Sequence, residues 1–489
     1  MKKCITIVMI FILLIANNIM VLAEGGEASY FGGISEGTGL PRNVDGEQPN
    51  KIEMPYKEVV FISGEPIIFE GTINITRNGN IKNEGVYKES YEIEADNEEN
   101  EMERVIELRT VYQERDNQIL RTTIEVDKWE ETITIDGVTY ELNERASSFE
   151  KLVTEELTPG VSYYHTSINY IAEYNTSENA IVRVDVNNES FGYNQPWSKV
   201  ENQDITKVIT NESENGNQWE MVVNLNPSQI AKKNIYYVQT KPDAFSFERN
   251  YQQRLERNSK LTYNIATNHP EIPNSKREGI ISIEPANKME GLIIPKGLEF
   301  LSGHWAEDDI NQLYSLGIFS TDPHPNMKYE NFTRGEYIKA LCLALNLDTS
   351  KYENTREELP QIYDDVPPEH PLYKYVMTAY DNKLSFGRGN DFAVDLPITR
   401  EEAFVIYIRV IGLENIEITE HPTTPFDDDS KISSWAKREI MAGYKLGIIY
   451  GDDKNLVNPK NHIITTEAGA IINRLIMYLR NELPERYIQ

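Results

Sequence analysis

The 489-residue sequence predicts two folds in series, an all-β region followed by an all-α region of tandem helix–loop–helix copies. Three observations predict it. Apolar and polar residues alternate from about residue 58 to 268, then the apolar period becomes helical after about 299. Two-residue turn signals, Asp136-Gly137 and Asn215-Gly216, punctuate the alternating region as hairpin loops do. The run GHWAEDDINQLYSLGI at 303–318 returns as SSWAKREIMAGYKLGI at 433–448, with Trp-Ala, Ile and Gly-Ile at identical spacing.

In chain order, residues 1–23 read as a signal peptide: a basic MKK, the apolar CITIVMIFILLI, and a small residue at Ala23. A retained membrane anchor is the rival reading, opposed by Asn17 and Asn18 and by the lack of a following basic cluster. After cleavage no membrane span is expected. Residues 24–57, rich in Gly, Glu, Pro and Asn, read as a disordered leader. In the β-rich region 58–268, Tyr164, Thr166, Ile168, Tyr170, Ala172 and Tyr174 share one strand face, as do Val182, Val184 and Val186. An antiparallel sandwich, an open barrel and a curved sheet all fit this pattern. Residues 269–298, with four prolines, read as a linker holding at most one short strand.

The repeat has a second copy that its missing Trp conceals. Aligning His370 on His304 places Pro371 at the Trp position, so the copies start at Trp305, Pro371 and Trp435, 66 and 64 residues apart. A second landmark agrees. Thr333 and Thr399 each lie 28 residues after the copy start, and Ile464 lies 29 after. The copies occupy 299–350, 361–414 and 424–478. Each reads as helix, loop, helix; the loop is Gly-rich in copies two and three, and Thr333 with Glu336 and Thr399 with Glu402 open the second helix of copies one and two as capping boxes.

At these residues the chain resembles the surface-layer (S-layer) homology module, SLH, which usually occurs as three tandem copies in bacterial envelope proteins. The resemblance rests on HWA…I..L…GI, the Gly-rich loop and TRxE, and covers about 299–478. It implies a pseudo-threefold bundle whose intercopy grooves bind a secondary cell-wall polysaccharide, commonly one ending in a pyruvylated sugar. It assigns Arg334 and Arg400 to the sugar's carboxylate, and Trp305, Trp435, Gly387 and Gly389 to the groove walls. Arg400 is the stronger candidate, because the Gly-rich loop of its own copy is intact. A guanidinium at the first turn of a helix suits such a ligand independently, through bidentate pairing and the helix dipole. Copy three departs from the pattern, with Ile464 and Thr465 in place of Thr-Arg, and Lys445 or Lys454 would have to supply its cation. Copy one lacks a clear Gly-rich loop.

Composition narrows the function. A net charge of −30 argues against nucleic-acid partners and unaided adhesion to anionic lipid. Cys4 and Cys342 are the only cysteines, so a chain that has lost its signal peptide cannot form an internal disulfide. No cofactor motif or metal-ligand spacing appears, and FDDDS at 426–430 matches no calcium loop. His165 and His269 have no nucleophile motif around them. Trp129, Trp197 and Trp219 are expected in the core or on the sheet surface rather than on a glycan. The expectation is a secreted, non-enzymatic envelope protein that displays its β-rich region from a wall anchor, in the cell wall or S-layer. A wall-anchored enzyme acting on polysaccharide through 58–268 is the alternative. So is a lattice subunit that self-associates into an array.

Overall fold

A computed structural model describes residues 29–35, 51–78, 84–115, 118–213, 218–238, 250–269, 277–284, 288–294, 296–353, 359–412 and 422–483. The expected signal peptide and the Asn215-Gly216 turn lie outside the described residues.

Among these, fifteen strands form a single antiparallel sheet. They are β1 (Gly33–Ser35), β2 (Lys51–Val60), β3 (Ile67–Asn78), β4 (Glu84–Asn97), β5 (Asn100–Arg115), β6 (Gln118–Ile135), β7 (Val138–Leu142) and β8 (Ser148–Leu157). Then follow β9 (Ser162–Thr176), β10 (Ala180–Gln195), β11 (Ser198–Ser213), β12 (Gln218–Val238), β13 (Asn250–Thr267), β14 (Glu278–Ile283) and β15 (Lys288–Ile293). Strands adjacent in sequence pair, with two exceptions. β7 and β8 share the space between β6 and β9, and β14 and β15 pair with successive parts of β13.

Local chemistry explains the register. Asp136 and Gly137 both take positive φ (50° and 83°), as a tight hairpin turn between β6 and β7 requires. In β5, Met102, Ile106 and Leu108 point inward while Glu101 and Glu103 face solvent. The predicted face of β9, from Tyr164 to Tyr174, is buried throughout. Inward residues from β2 to β14 feed one continuous core, β2 approaches β14, and β1 approaches β13. The sheet therefore curls on itself around that core rather than splitting into two. Trp129 and Trp197 are buried, and Trp219 packs against the core.

Two expectations are corrected. The leader 24–57 contains β1 and the start of β2, and Ser29–Ser35 is buried inside the curled sheet. Tyr30 and Phe31 lie 5.9 and 5.8 Å from the Tyr91 ring, and Lys207 donates to the Phe31 carbonyl at 2.7 Å. Such a segment, enclosed on all sides and containing two glycines, shows no alternation for a sequence reading to find. The linker 269–298 contains both β14 and β15, whose pairing with β13 makes them part of the sheet.

The inner face also holds charge. Arg104 bridges Glu58 (2.9 Å) and Glu131 (2.7 Å), Lys207 lies 3.7 Å from Glu58, and Lys151 pairs with Glu89. The Arg104 guanidinium stands 5.0 Å over the Phe31 ring. Burial alone would raise the Glu58 and Glu89 pKa values. Arg104 and Lys207 at Glu58, and Lys151 and Arg77 at Glu89, outweigh burial and hold both below the usual carboxylate range.

After the sheet come α1 (Glu307–Ser315), α2 (Arg334–Ala344), α3 (Tyr373–Asp381), α4 (Arg400–Val410), α5 (Lys437–Lys445) and α6 (Thr465–Met477). A π-helical turn, Tyr478–Glu482, extends α6. α2 packs on α3, α4 on α5, and α6 on α1. The residues just before α2, α4 and α6 close a ring of backbone hydrogen bonds. Phe332 N–H donates to Ile463 (2.8 Å), Ile463 to Ile398 (3.0 Å), and Ile398 to Phe332 (3.0 Å).

The opposite ends of the same three helices meet the sheet. A helix leaves its last carbonyls without intrahelical donors, and here the sheet supplies them. Trp197 Nε1 donates to the Ala344 carbonyl (2.9 Å), and the Gly160 amide to Val410 (2.8 Å). Tyr163 Oη donates to Ile411 (3.2 Å), and Gln195 Nε2 and Ser198 Oγ donate to Leu479 (2.6 and 2.9 Å). A Cβ at Gly160 would lie 2.5 Å from Val410 Cγ1, so the approach needs glycine. Val161, Tyr193, Trp197 and Val200 belong to the helical core. The β-rich region is therefore seated on the helices rather than tethered to them.

Trp197→Ala should remove this anchor at a cost of about 3–5 kcal/mol. Denaturant unfolding should then show separate transitions for helix and sheet, where the unsubstituted chain shows one. Carboxylates with depressed pKa contribute stability that is present above the ordinary Glu value and lost as pH falls through the depressed one. The sheet should therefore weaken progressively below about pH 4, read as falling urea midpoints. Glu201, whose pKa burial raises, contributes an opposing slope from a single group.

Candidate functional site

The ring sets where each first-turn side chain points. Arg334 N–H donates to Leu396, Arg400 N–H to Asn461, and Thr465 N–H to Glu330, each at 2.9 Å. Each second helix thus opens against the loop of another copy, not its own. Arg334 meets the 385–396 loop, Arg400 the 450–461 loop, and Thr465 the segment ending at Glu330.

The capping boxes hold these starts. Thr333 accepts from the Glu336 amide (3.1 Å) while Glu336 accepts from the Thr333 amide (3.1 Å). Glu402 accepts from both the amide and hydroxyl of Thr399, at 2.9 and 3.0 Å. Copy three keeps half of the device, since Glu467 accepts from the Ile464 amide at 3.1 Å. That glutamate was legible three residues after Ile464.

The first groove gathers cations. Arg334, 5% exposed, donates to Ser385 Oγ (2.8 Å) and the Phe386 carbonyl (2.6 Å), and pairs with Glu402 (3.0 Å). Its guanidinium lies 4.9 Å over Phe392. Arg388, with a half-exposed side chain, pairs with the same Glu402 oxygen, and Arg409 stands 5.5 Å over the exposed Phe386 ring. Burial would raise the Glu402 pKa, but hydrogen bonds from Arg388 and the Thr399 amide, with the Arg334 charge, hold it low. Two guanidinium groups thus share one carboxylate, with a third, Arg409, close by over Phe386. Gly387 and Gly389 shape this loop. A Cβ at Gly387 would lie 2.3 Å from the Tyr363 ring, and Gly389 has φ +73°.

The sequence reading matched Gly387 and Gly389 with Arg400 because they share a copy. The fold places them with Arg334. It also missed Arg388, Arg409 and Phe386. Arg388 was visible between the two glycines.

The second groove is less positive. Arg400 Nε donates to the Val457 carbonyl (3.0 Å), its Nη1 lies 3.8 Å from Glu467, and the ring of Phe404 lies 5.2 Å beneath it. Asp452 and Asp428 add negative potential there, and Tyr450 is exposed. The third groove has no first-turn cation. Thr465 and Thr466 face the Glu330 and Lys328 carbonyls. Lys454 sits in the loop that Arg400 meets, so it stands at the second groove rather than replacing Thr465. Lys445 is exposed at the end of α5.

Trp305 and Trp435 are 62% and 51% exposed, while the adjacent Ala306 and Ala436 are fully buried. The alanine of each Trp-Ala pair carries the packing, and the Trp stays available. FDDDS also has a structural use. Asp428 accepts from the Val457 and Asn458 amides, and Asp429 from Thr424, as Asp365 does from Phe392 and Val394 in copy two. Among the described residues no group of His, Cys, Asp and Glu could hold a metal ion. No described helix is long and apolar enough to cross a membrane.

Residues 362–404 and 425–464 match the family model described as the S-layer homology domain. This defines the class, a protein associated with the cell wall or cell surface. The chain carries S-layer homology repeats after its β-rich region. It is similar, at 29% identity over 186 residues, to an amylopullulanase of Thermoanaerobacterium thermosulfurigenes, covering 36% of this chain and 9% of that enzyme. It is 29% identical over 191 residues to exoglucanase XynX of Acetivibrio thermocellus, covering 38% and 17%. A cell surface protein of Thermoanaerobacter kivui is 26% identical over 128 residues, covering 26% and 17%. The chain thus spans less than a fifth of the length of each of these relatives.

Glu402→Gln would leave Arg334 buried beside an uncharged amide. It should destabilise the chain by about 3–5 kcal/mol, measured by chemical denaturation, with Arg388, half in solvent, contributing little of that.

Proposed function

We propose that the chain is a secreted envelope protein whose three copies form a pseudo-threefold bundle holding a secondary cell-wall polysaccharide non-covalently. The cyclic hydrogen bonds before α2, α4 and α6 support that symmetry. One observation carries the binding reading. Arg334 and Arg388 converge on a single carboxylate, Glu402, and Arg409 stands nearby over the exposed Phe386 ring. The local excess of positive charge suits an acidic sugar, such as a pyruvylated one, and the aromatic suits its apolar face. Arg334 is the buried support of this site and Arg388 its solvent-facing contact. The Arg400 groove is secondary, because Asp452 and Asp428 oppose an anion.

The β-rich region has a structural or binding role rather than a catalytic one. Its buried Glu58, Glu89 and Glu131 are engaged by Arg104 and Lys151 inside the curl, where they brace the sheet.

Since the sheet caps the helix ends, the test uses the full chain from residue 24. It should sediment with intact cell walls and not with walls stripped of secondary polymer. Arg388→Ala should weaken binding by about tenfold or more, and Arg400→Ala by less. Equal sedimentation with stripped walls would refute the reading.

A further inference from the structure

The outer face of the sheet carries a second feature that neither the core nor the grooves use. Directly opposed residues form a row across seven strands: Glu150 (β8), Asn169 (β9), Asn187 (β10), Thr206 (β11), Asn224 (β12), Asn264 (β13) and Glu278 (β14). The side chains link laterally. Asn187 donates to Asn169 (2.8 Å), Thr206 to Asn224 (3.2 Å), and Asn224 to Asn264 (3.1 Å). Over β8–β11 the row runs along the floor of an open groove of about 390 Å³, bordered by Ser148, Asp185 and Val208.

The chemistry of this face selects among ligands. β9, β10 and β11 are each paired on both sides, so a peptide cannot add here as a strand. Glu150 and Asp185, on a chain of net charge −30, disfavour an anion. No metal-holding cluster exists among the described residues. What remains is a line of amides and hydroxyls, each able to donate and accept, repeating at the strand spacing of about 4.8 Å. That repeat is close to the advance per sugar of an extended β-linked pyranose chain. On the same face, four residues further along β10 than Asn187 and beyond Glu189, Phe191, 47% exposed, stacks on His165 at 4.8 Å.

We propose that the outer face of β8–β12 binds a neutral, extended β-1,4-linked glycan strand laid across the strands along Asn169, Asn187, Thr206 and Asn224. This site is independent of the helix grooves. The amide row replaces water on successive sugar hydroxyls. Binding is shallow and additive along the strand, with no single dominant contact.

The experiment titrates chitohexaose and cellohexaose, with α-linked maltohexaose as control, into the full chain from residue 24. The comparison is an Asn187→Ala/Thr206→Val variant, both sites being exposed and outside the core. At least one β-linked hexamer should bind saturably, and the variant should bind it at least tenfold more weakly with an unchanged thermal midpoint. Arg388→Ala should leave hexamer binding intact, and the face variant should still sediment with intact walls. These crossed readouts separate failure of this site from failure of the groove reading. No binding by either β-linked hexamer, equal binding by the face variant, equal binding of maltohexaose, or loss in Arg388→Ala would each overturn the proposal.

Discussion

Three backbone hydrogen bonds, Phe332 to Ile463, Ile463 to Ile398 and Ile398 to Phe332, fix the helical half of this protein. They join segments far apart in sequence through buried main-chain groups, for which an unmade bond would be costly. Once the ring closes, α2, α4 and α6 all start on one side and run toward the other. Their first-turn side chains then face the loops of other copies, and their free carbonyls gather at the opposite end. The grooves and the seat for the sheet are two consequences of one closure.

The seat works because Trp197, Gly160, Gln195 and Ser198 bring donors to carbonyls that a helix cannot satisfy itself. Within the curl, a different constraint operates. Glu58, Arg104, Glu131 and Lys207 are costly to bury, and replacing such a set with apolar groups is often neutral or stabilising. Arg104 and Lys207 also engage the ring of Phe31 and its carbonyl, which ties Ser29–Ser35 to this charged set.

What could be read in the sequence follows the range of each interaction. Alternation over β9, the Asp136-Gly137 turn and the Thr333–Glu336 box depend on neighbours within a few residues, and all were visible. That a helix–loop–helix pattern repeats was visible too, because spacing is itself sequence information. The pairing of Arg334 with Gly387 and Gly389 spans more than fifty residues and depends on the ring, so the shared copy suggested Arg400 instead. Trp305 and Trp435 resemble core residues in isolation, yet the smaller alanine beside each takes the buried position. Ser29–Ser35 looks like a leader because enclosure on all sides leaves no polar face to alternate with.

Charge places a limit on the grooves. A surface this acidic repels an anionic polymer at long range, though salt screens exposed charges beyond about 8 Å at physiological ionic strength. Recognition of such a polymer would therefore be short-ranged, and a cluster of guanidinium groups that outnumbers its one carboxylate, Glu402, would serve it better than a diffuse positive field. The rigid joint adds to this. A flexible tether would spread the β-rich region over a large volume, whereas direct capping holds its outer face at a fixed orientation to the grooves. Two weak contacts on one rigid body gain avidity only when their geometry matches the spacing of the partner. If both proposed contacts are made to one extended array of glycan, a fixed orientation makes modest contacts selective without strengthening either.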